Sequence, residues 1–184
     1  VDRGMATVED YMNSAMLKNN GSKYQVMTVS IKERPPANDI KLNIGNASIE
    51  QTDQARFLGV TLDRSLKFQQ YTEELIKALH TRLKGLKLLF KNADLQTRKQ
   101  LACGILKSKA QYCLPCIGHC SSGQWDRLRQ VYTDMARAVL KVGRGFPARE
   151  VYTRLGWMTL DMELMFADQR LLFKIWKTGK PVDV

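Results

Sequence analysis

Apolar positions along this chain change their period once, just after Asp63. Before that point they come in short alternating runs, the pattern of half-buried strands. A short helix over about 8–18 opens the chain and ends in the turn-rich NNGS at 19–22. In KYQVMTVSIK, Tyr24, Val26, Thr28 and Ser30 alternate with Gln25, Met27, Val29 and Ile31, which predicts a strand. RPPAND at 34–39 interrupts the run, because paired prolines cannot continue a ladder. IKLNIGNASIE sets Gly45-Asn46 between two short alternating stretches, a two-residue hairpin signal. ARFLGVTLD then closes a small antiparallel sheet, with Gly59 in the middle of its apolar run. A glycine there marks a bulge or a place where another backbone approaches closely.

After Asp63 the period lengthens to about three and a half. Ile76, Leu79, Leu83, Leu86 and Phe90 form one apolar stripe of a long helix, and Lys77, Lys84, Lys87 and Lys91 form a second stripe beside it. Asp94 is placed to cap a helix running to about Tyr112. Ser121 and Gln124 make a capping box for a third, which carries Trp125, Leu128, Tyr132, Met135 and Val139. GRGFP at 143–147 breaks the helix, with Pro147 at the first turn of a short one reaching Leu155. Gly156-Trp157 turns the chain, and Thr159 caps a last helix to about Lys177. Trp157, together with Trp125, Met158, Met162, Met165 and Trp176 at helical spacing, is expected in the core. The expected fold class is therefore α+β, a small antiparallel sheet over 1–63 followed by a helical bundle over 64–184.

Charge divides the chain at the same place. Residues 1–63 carry 7 Lys/Arg against 8 Asp/Glu, a net of −1, whereas residues 64–184 carry 22 against 10, a net of +12. An excess confined to one region suggests a surface for polyanions, nucleic acid first and an anionic membrane second, although lysines also solubilise exposed helix faces. Lys77, Arg82, Lys84, Lys87, Lys91, Arg98, Lys99, Lys107 and Lys109 are opposed over 77–111 only by Asp94. If five or six of these contacted phosphates, log affinity would fall with log salt at a slope of about −4 to −5. No run of about 18 uncharged apolar residues is present, so no membrane span is expected. Without a secretory pattern, the four cysteines within 103–120 fit reduced thiols in a nuclear or cytoplasmic protein.

Several stretches bring a family into view. YMNSAMLKNNGSKYQVMTVS, with Tyr11-Met12, Leu17-Lys18, Asn20 and Lys23, resembles the segment after the catalytic aspartates in reverse transcriptases of non-LTR, LINE-like retrotransposons. FLGVTLDRSLKF at 57–68 is similar to that family's aromatic-Leu-Gly-Val-x-Leu-Asp motif, and LKSKAQYCLPCIGH and RLGWMTLDMELMFADQRLLFKI resemble its thumb helices and Gly-Trp segment. The resemblance spans about residues 7–178 and implies the end of a palm subdomain followed by a thumb. It places Phe57, Leu58 and Gly59 in a primer grip, where backbone passes close to the sugar-phosphate of a primer end. The alternative is that Gly59 relieves crowding against the first thumb helix, and the basic helices that follow favour the grip.

The family's activity, RNA-directed DNA synthesis, needs carboxylates holding two divalent metals such as Mg²⁺. The resemblance puts those aspartates upstream of everything in this chain, and no Asp-Asp pair occurs in it. Glu9-Asp10 sit on a predicted amphipathic helix, Glu73-Glu74 in a first helical turn, and Asp63 at a strand end suited to turn formation. Lys23 matches a lysine that the family can use to protonate pyrophosphate, but Tyr24 and Asn19-Asn20-Gly21 depart from the pattern around it. No catalytic residue and no cofactor are expected in the chain alone. CLPCIGHC offers Cys113, Cys116, His119 and Cys120 to zinc, with Cys103 as a substitute. Four ligands in eight residues strain a tetrahedron, and the resemblance puts a helix end and loop there instead. The expected function is a non-catalytic reverse-transcriptase-derived fragment binding RNA or RNA–DNA duplex. The alternatives are a protein-interaction or structural module, and the C-terminal part of an active polymerase whose palm lies upstream.

Overall fold

A computed structural model describes residues 10–12, 14–16, 23–30, 42–44, 47–118 and 120–179, and among these the fold is α+β. The chain divides into two compact units, Val1–Leu66 and Lys67–Val184.

In the first unit, β1 (Leu42–Ile44) pairs antiparallel with β2 (Ala47–Ile49), Ile44 opposite Ala47. β3 (Gln54–Phe57) pairs antiparallel with β4 (Val60–Asp63), Phe57 opposite Val60. The expected single strand through Gly59 is thus a hairpin. Leu58 (φ 46°) and Gly59 (φ 83°) are its two turn residues, and positive φ at both is what a tight hairpin with right-handed twist requires. Asp63 forms a turn as expected, its carboxylate accepting from the Ser65 amide at 3.1 Å and the Ser65 hydroxyl at 2.7 Å. The predicted strand over 24–31 does not form among the described residues: residues 27–30 carry no ladder, and Val26 makes one isolated bridge to Gln51. Its backbone and side chains bond singly instead. The Val26 carbonyl accepts from Thr52, the Gln25 side chain from the Arg56 amide, and the Ser30 amide donates to Arg64. Alternation alone cannot supply a ladder partner. The loop at 34–39 lies outside the described residues.

The second unit is a helical bundle built on α1 (Gln69–Leu89), which buries Leu75, Ile76, Leu79, Leu83 and Leu86. Burying such a side chain contributes about 1.5–3 kcal/mol. α2 (Leu95–Ala102) starts at Asp94, whose carboxylate accepts from the Thr97 amide at 2.7 Å. Its axis continues through a π-helical segment, Cys103–Lys107, into α3 (Ser108–Gln111). A π segment leaves carbonyls without their usual partner. That of Ile105 is met by the Arg82 guanidinium at 3.1 Å.

A short α4 (Leu114–Ile117) follows, then α5 (Ser122–Leu140), capped by Ser121, with Leu128, Tyr132, Met135 and Val139 buried. α6 (Ala148–Leu155) starts after Pro147 and stops at Gly156. α7 (Leu160–Thr178) is capped by Thr159 through the Met162 amide.

One core expectation fails. Met162, Met165 and Trp176 are exposed, because α7 turns the Leu160–Glu163 side toward the bundle and the face carrying these residues away from it. Glu73 also lies past the first turn, since α1 begins only at Gln69.

Candidate nucleic-acid interface

Seven residues of helix advance about 10 Å and nearly complete two turns, so Lys77 and Lys84 stand almost in line on α1, and Lys91 follows in the turn just past its end. All three are exposed, as is Lys87, which flanks the buried leucines on the side that borders α5. At the far end of α1 this row meets α5. Lys141, which caps α5 in a left-handed conformation, donates its ammonium to the Lys91 carbonyl at 2.8 Å. Lys87, Lys91 and Lys141, with Phe90 and Ala138, line an open cavity of about 420 Å³. Three ammoniums around one concavity suit an anionic oxygen. They also offset the negative end of the helix dipole. Sequence reading missed Lys141 because only packing brings the end of α5 to the end of α1.

Several of the unit's acids are engaged elsewhere. Glu73 chelates Arg127, with one contact at 3.2 Å, and the Arg127 guanidinium holds its carboxyl below the usual range. Asp161 accepts from Arg129 Nε at 3.0 Å, from an Arg129 terminal nitrogen at 2.8 Å and from Trp125 Nε1 at 2.9 Å. Hydrogen bonds from Arg129 hold its carboxyl low as well. Asp134 pairs with Arg137 and Glu150 with Arg154. Among the described residues no acid forms an ion pair with Lys84, Lys87 or Lys91.

Other expected contacts fall away from this face. Arg98 is buried, its Nε bonded to the Asp94 carbonyl at 3.2 Å, so it serves packing rather than a surface. Lys107 is drawn inward by Glu163 at 2.8 Å, with its ammonium 5.4 Å from the centre of the half-buried Trp157 ring. Glu163 is itself buried and accepts from Gln111 at 2.7 Å and Tyr132 at 3.4 Å. A lysine in that network is not available to phosphate. Arg82 is committed to the π segment, Lys109 lies 6.0 Å from the Tyr112 ring centre, and Lys99 is half-buried. Four of the nine expected cations therefore share the open face, and a period count could not tell them from the rest.

Phe57 and Leu58 are exposed at the β3–β4 hairpin tip, and a Cβ added to Gly59 would meet no atom within 4 Å. Gly59 answers to its backbone angle. Lys23 is exposed, whereas Glu9 lies outside the described residues.

Among the described residues no group of three His, Cys, Asp or Glu could hold an ion, and His119 is not one of those described. Burial raises the Cys116 and Cys120 thiols, which disfavours the thiolate that a metal needs. Compared with models of known families, with curated proteins and with solved structures, the chain matches none.

Proposed function

We propose that the chain is a non-catalytic module derived from a reverse transcriptase that binds the backbone of an RNA or RNA–DNA duplex along the outer face of α1. The observation that carries this reading is the exposed row Lys77, Lys84, Lys87 and Lys91, extended by Lys141, with no ion pair to Lys84, Lys87 or Lys91 from any acid among the described residues. Such a row positions a duplex and reads no sequence, because phosphates carry no base information. The hairpin tip at Phe57, Leu58 and Gly59 supports the reading in its own unit, presenting an open turn of the kind a primer grip uses. The four cysteines are all unpaired, which fits a reducing intracellular compartment. Among the described residues no helix is long and apolar enough to cross a membrane.

Filter binding of short RNA and RNA–DNA duplexes over a salt series tests the reading. Four to five contacts give a slope of about −4, and Lys84→Gln with Lys87→Gln lowers its magnitude by about two. Absence of binding at low salt sinks the proposal and leaves the interaction module.

A further inference from the structure

Past Leu160 and Glu163, no residue of α7 is buried, yet the helix is rich in large apolar side chains. They are not scattered. Met162, Phe166, Phe173 and Trp176 follow the alternating four- and three-residue steps of a coiled-coil seam, with Gln169 at its centre, and Met165 and Leu172 widen the stripe. All six apolar residues are exposed, Leu172 at 64% and Trp176 at 81%, on the side of the helix away from the bundle. With fully exposed side chains of this size offering about 150–250 Å², the six leave on the order of 700 Å² open. A standard interface buries about 800 Å² per partner.

The edges of the stripe differ in sign. Asp161 and Asp168 lie along one edge, and Arg170, Lys174 and Lys177 along the other. Asp161 is held by Arg129, which leaves the half-buried Asp168 as the acid on its edge outside that ion pair. A lipid surface or a nucleic acid would favour two basic edges and gain nothing from an acidic one. A second copy of the same helix supplies the opposite charge on each side. Two parallel helices related by a two-fold axis along their length set the acidic edge of each against the basic edge of the other. An antiparallel pair would set Arg170, Lys174 and Lys177 against their own copies. Gln169, polar at mid-seam, can bond its own symmetry mate and hold the register.

We propose that α7 is a self-association surface, on which a second copy of this chain docks by parallel pairing of the Met162–Trp176 stripe. The contact is isologous and closes after two chains. It is independent of the lysine row on α1.

Sedimentation equilibrium of the intact chain over roughly 1–200 μM covers the micromolar affinity expected of an interface this small. The expected mass is twice 21.0 kDa at the upper end. Leu172→Glu with Trp176→Glu yields a monomer whose helicity and melting are unchanged, since both positions are exposed in one chain. Asp168→Asn separates the orientations without touching the seam. In the parallel pair it weakens association about threefold at low salt, and in an antiparallel pair, where Asp168 faces its own copy, it tightens it. A monomer throughout the range, a dimer indifferent to the paired glutamates, or tightening by Asp168→Asn overturns the proposal. So does a monomer whose emission shifts, in a manner lost in Trp176→Phe, on adding phosphatidylserine vesicles or oligouridylate.

Discussion

Lys107→Met is the substitution that best separates a lysine facing solvent from a lysine facing the core. The methionine keeps length and apolar volume but removes the ammonium that pairs with Glu163 at 2.8 Å and lies over Trp157. Glu163 is only 4% exposed, so water cannot replace the lost partner. Breaking a buried pair from one side costs about 3–5 kcal/mol. Because Gln111 and Tyr132 continue to donate to the carboxylate, the lower end, about 3 kcal/mol, is expected. Stability of a domain this size is about 6–18 kcal/mol, so the loss is large and lowers the melting temperature by on the order of 10 °C. Urea unfolding followed by far-UV circular dichroism reads it directly. The double variant Lys107→Met/Glu163→Leu removes both charges and recovers most of the loss, because a buried pair exchanged for apolar groups is nearly neutral. A single variant within about 0.5 kcal/mol of wild type, the range of ordinary surface changes, would refute the buried network. At temperatures where Lys107→Met is folded, its nucleic-acid salt slope equals that of wild type, whereas Lys84→Gln lowers the slope and leaves melting alone.

Gly59→Ala tests the hairpin. The added methyl meets nothing, so the cost is backbone strain at φ 83°, about 1 kcal/mol, and Asn, which tolerates that region, costs less. Amide exchange in the β3–β4 ladder should quicken about fivefold for Ala, and unchanged protection would disprove the turn assignment. The Asp161 carboxylate is held low by Arg129 and then by Trp125 Nε1. A folded-state pKa below the unfolded one stabilises the chain above the unfolded pKa, and this is lost as pH falls through the folded value. Wild type should therefore exceed Asp161→Asn by a constant margin above about pH 5, at most about 1 kcal/mol after solvent screening, and the curves should begin to converge near about pH 4 and merge only below the depressed folded value. A margin that persists in acid would mean the carboxylate's charge is not what ties α5 to α7.

Helix starts were legible because a cap is a local device. Asp94, Ser121 and Thr159 each bond an amide three residues on, a contact that depends on no distant part of the chain. The apolar stripe of α1 was legible for the same reason, since a helix with one greasy side has one way to bury it. α7 was not, because two stripes run along it. The sequence contains both, and nothing in Met162, Met165 or Trp176 says which side the bundle will cover. The strand expected over 24–31 failed because a ladder needs a neighbour, and alternation specifies only a willingness to pair.

The lysines divide along the same line. Composition and spacing by themselves determined that this region is basic, that its helices are amphipathic, and that one helix carries a row of cations. Only tertiary packing decided that Lys107 goes inward to Glu163, that Arg98 is buried, that Arg82 serves a carbonyl of the π segment, and that Lys141 joins Lys91 from another helix. The reason is one of range. Periodicity is written in steps of three and four residues, whereas an ion pair between residues 107 and 163 depends on where two helices cross.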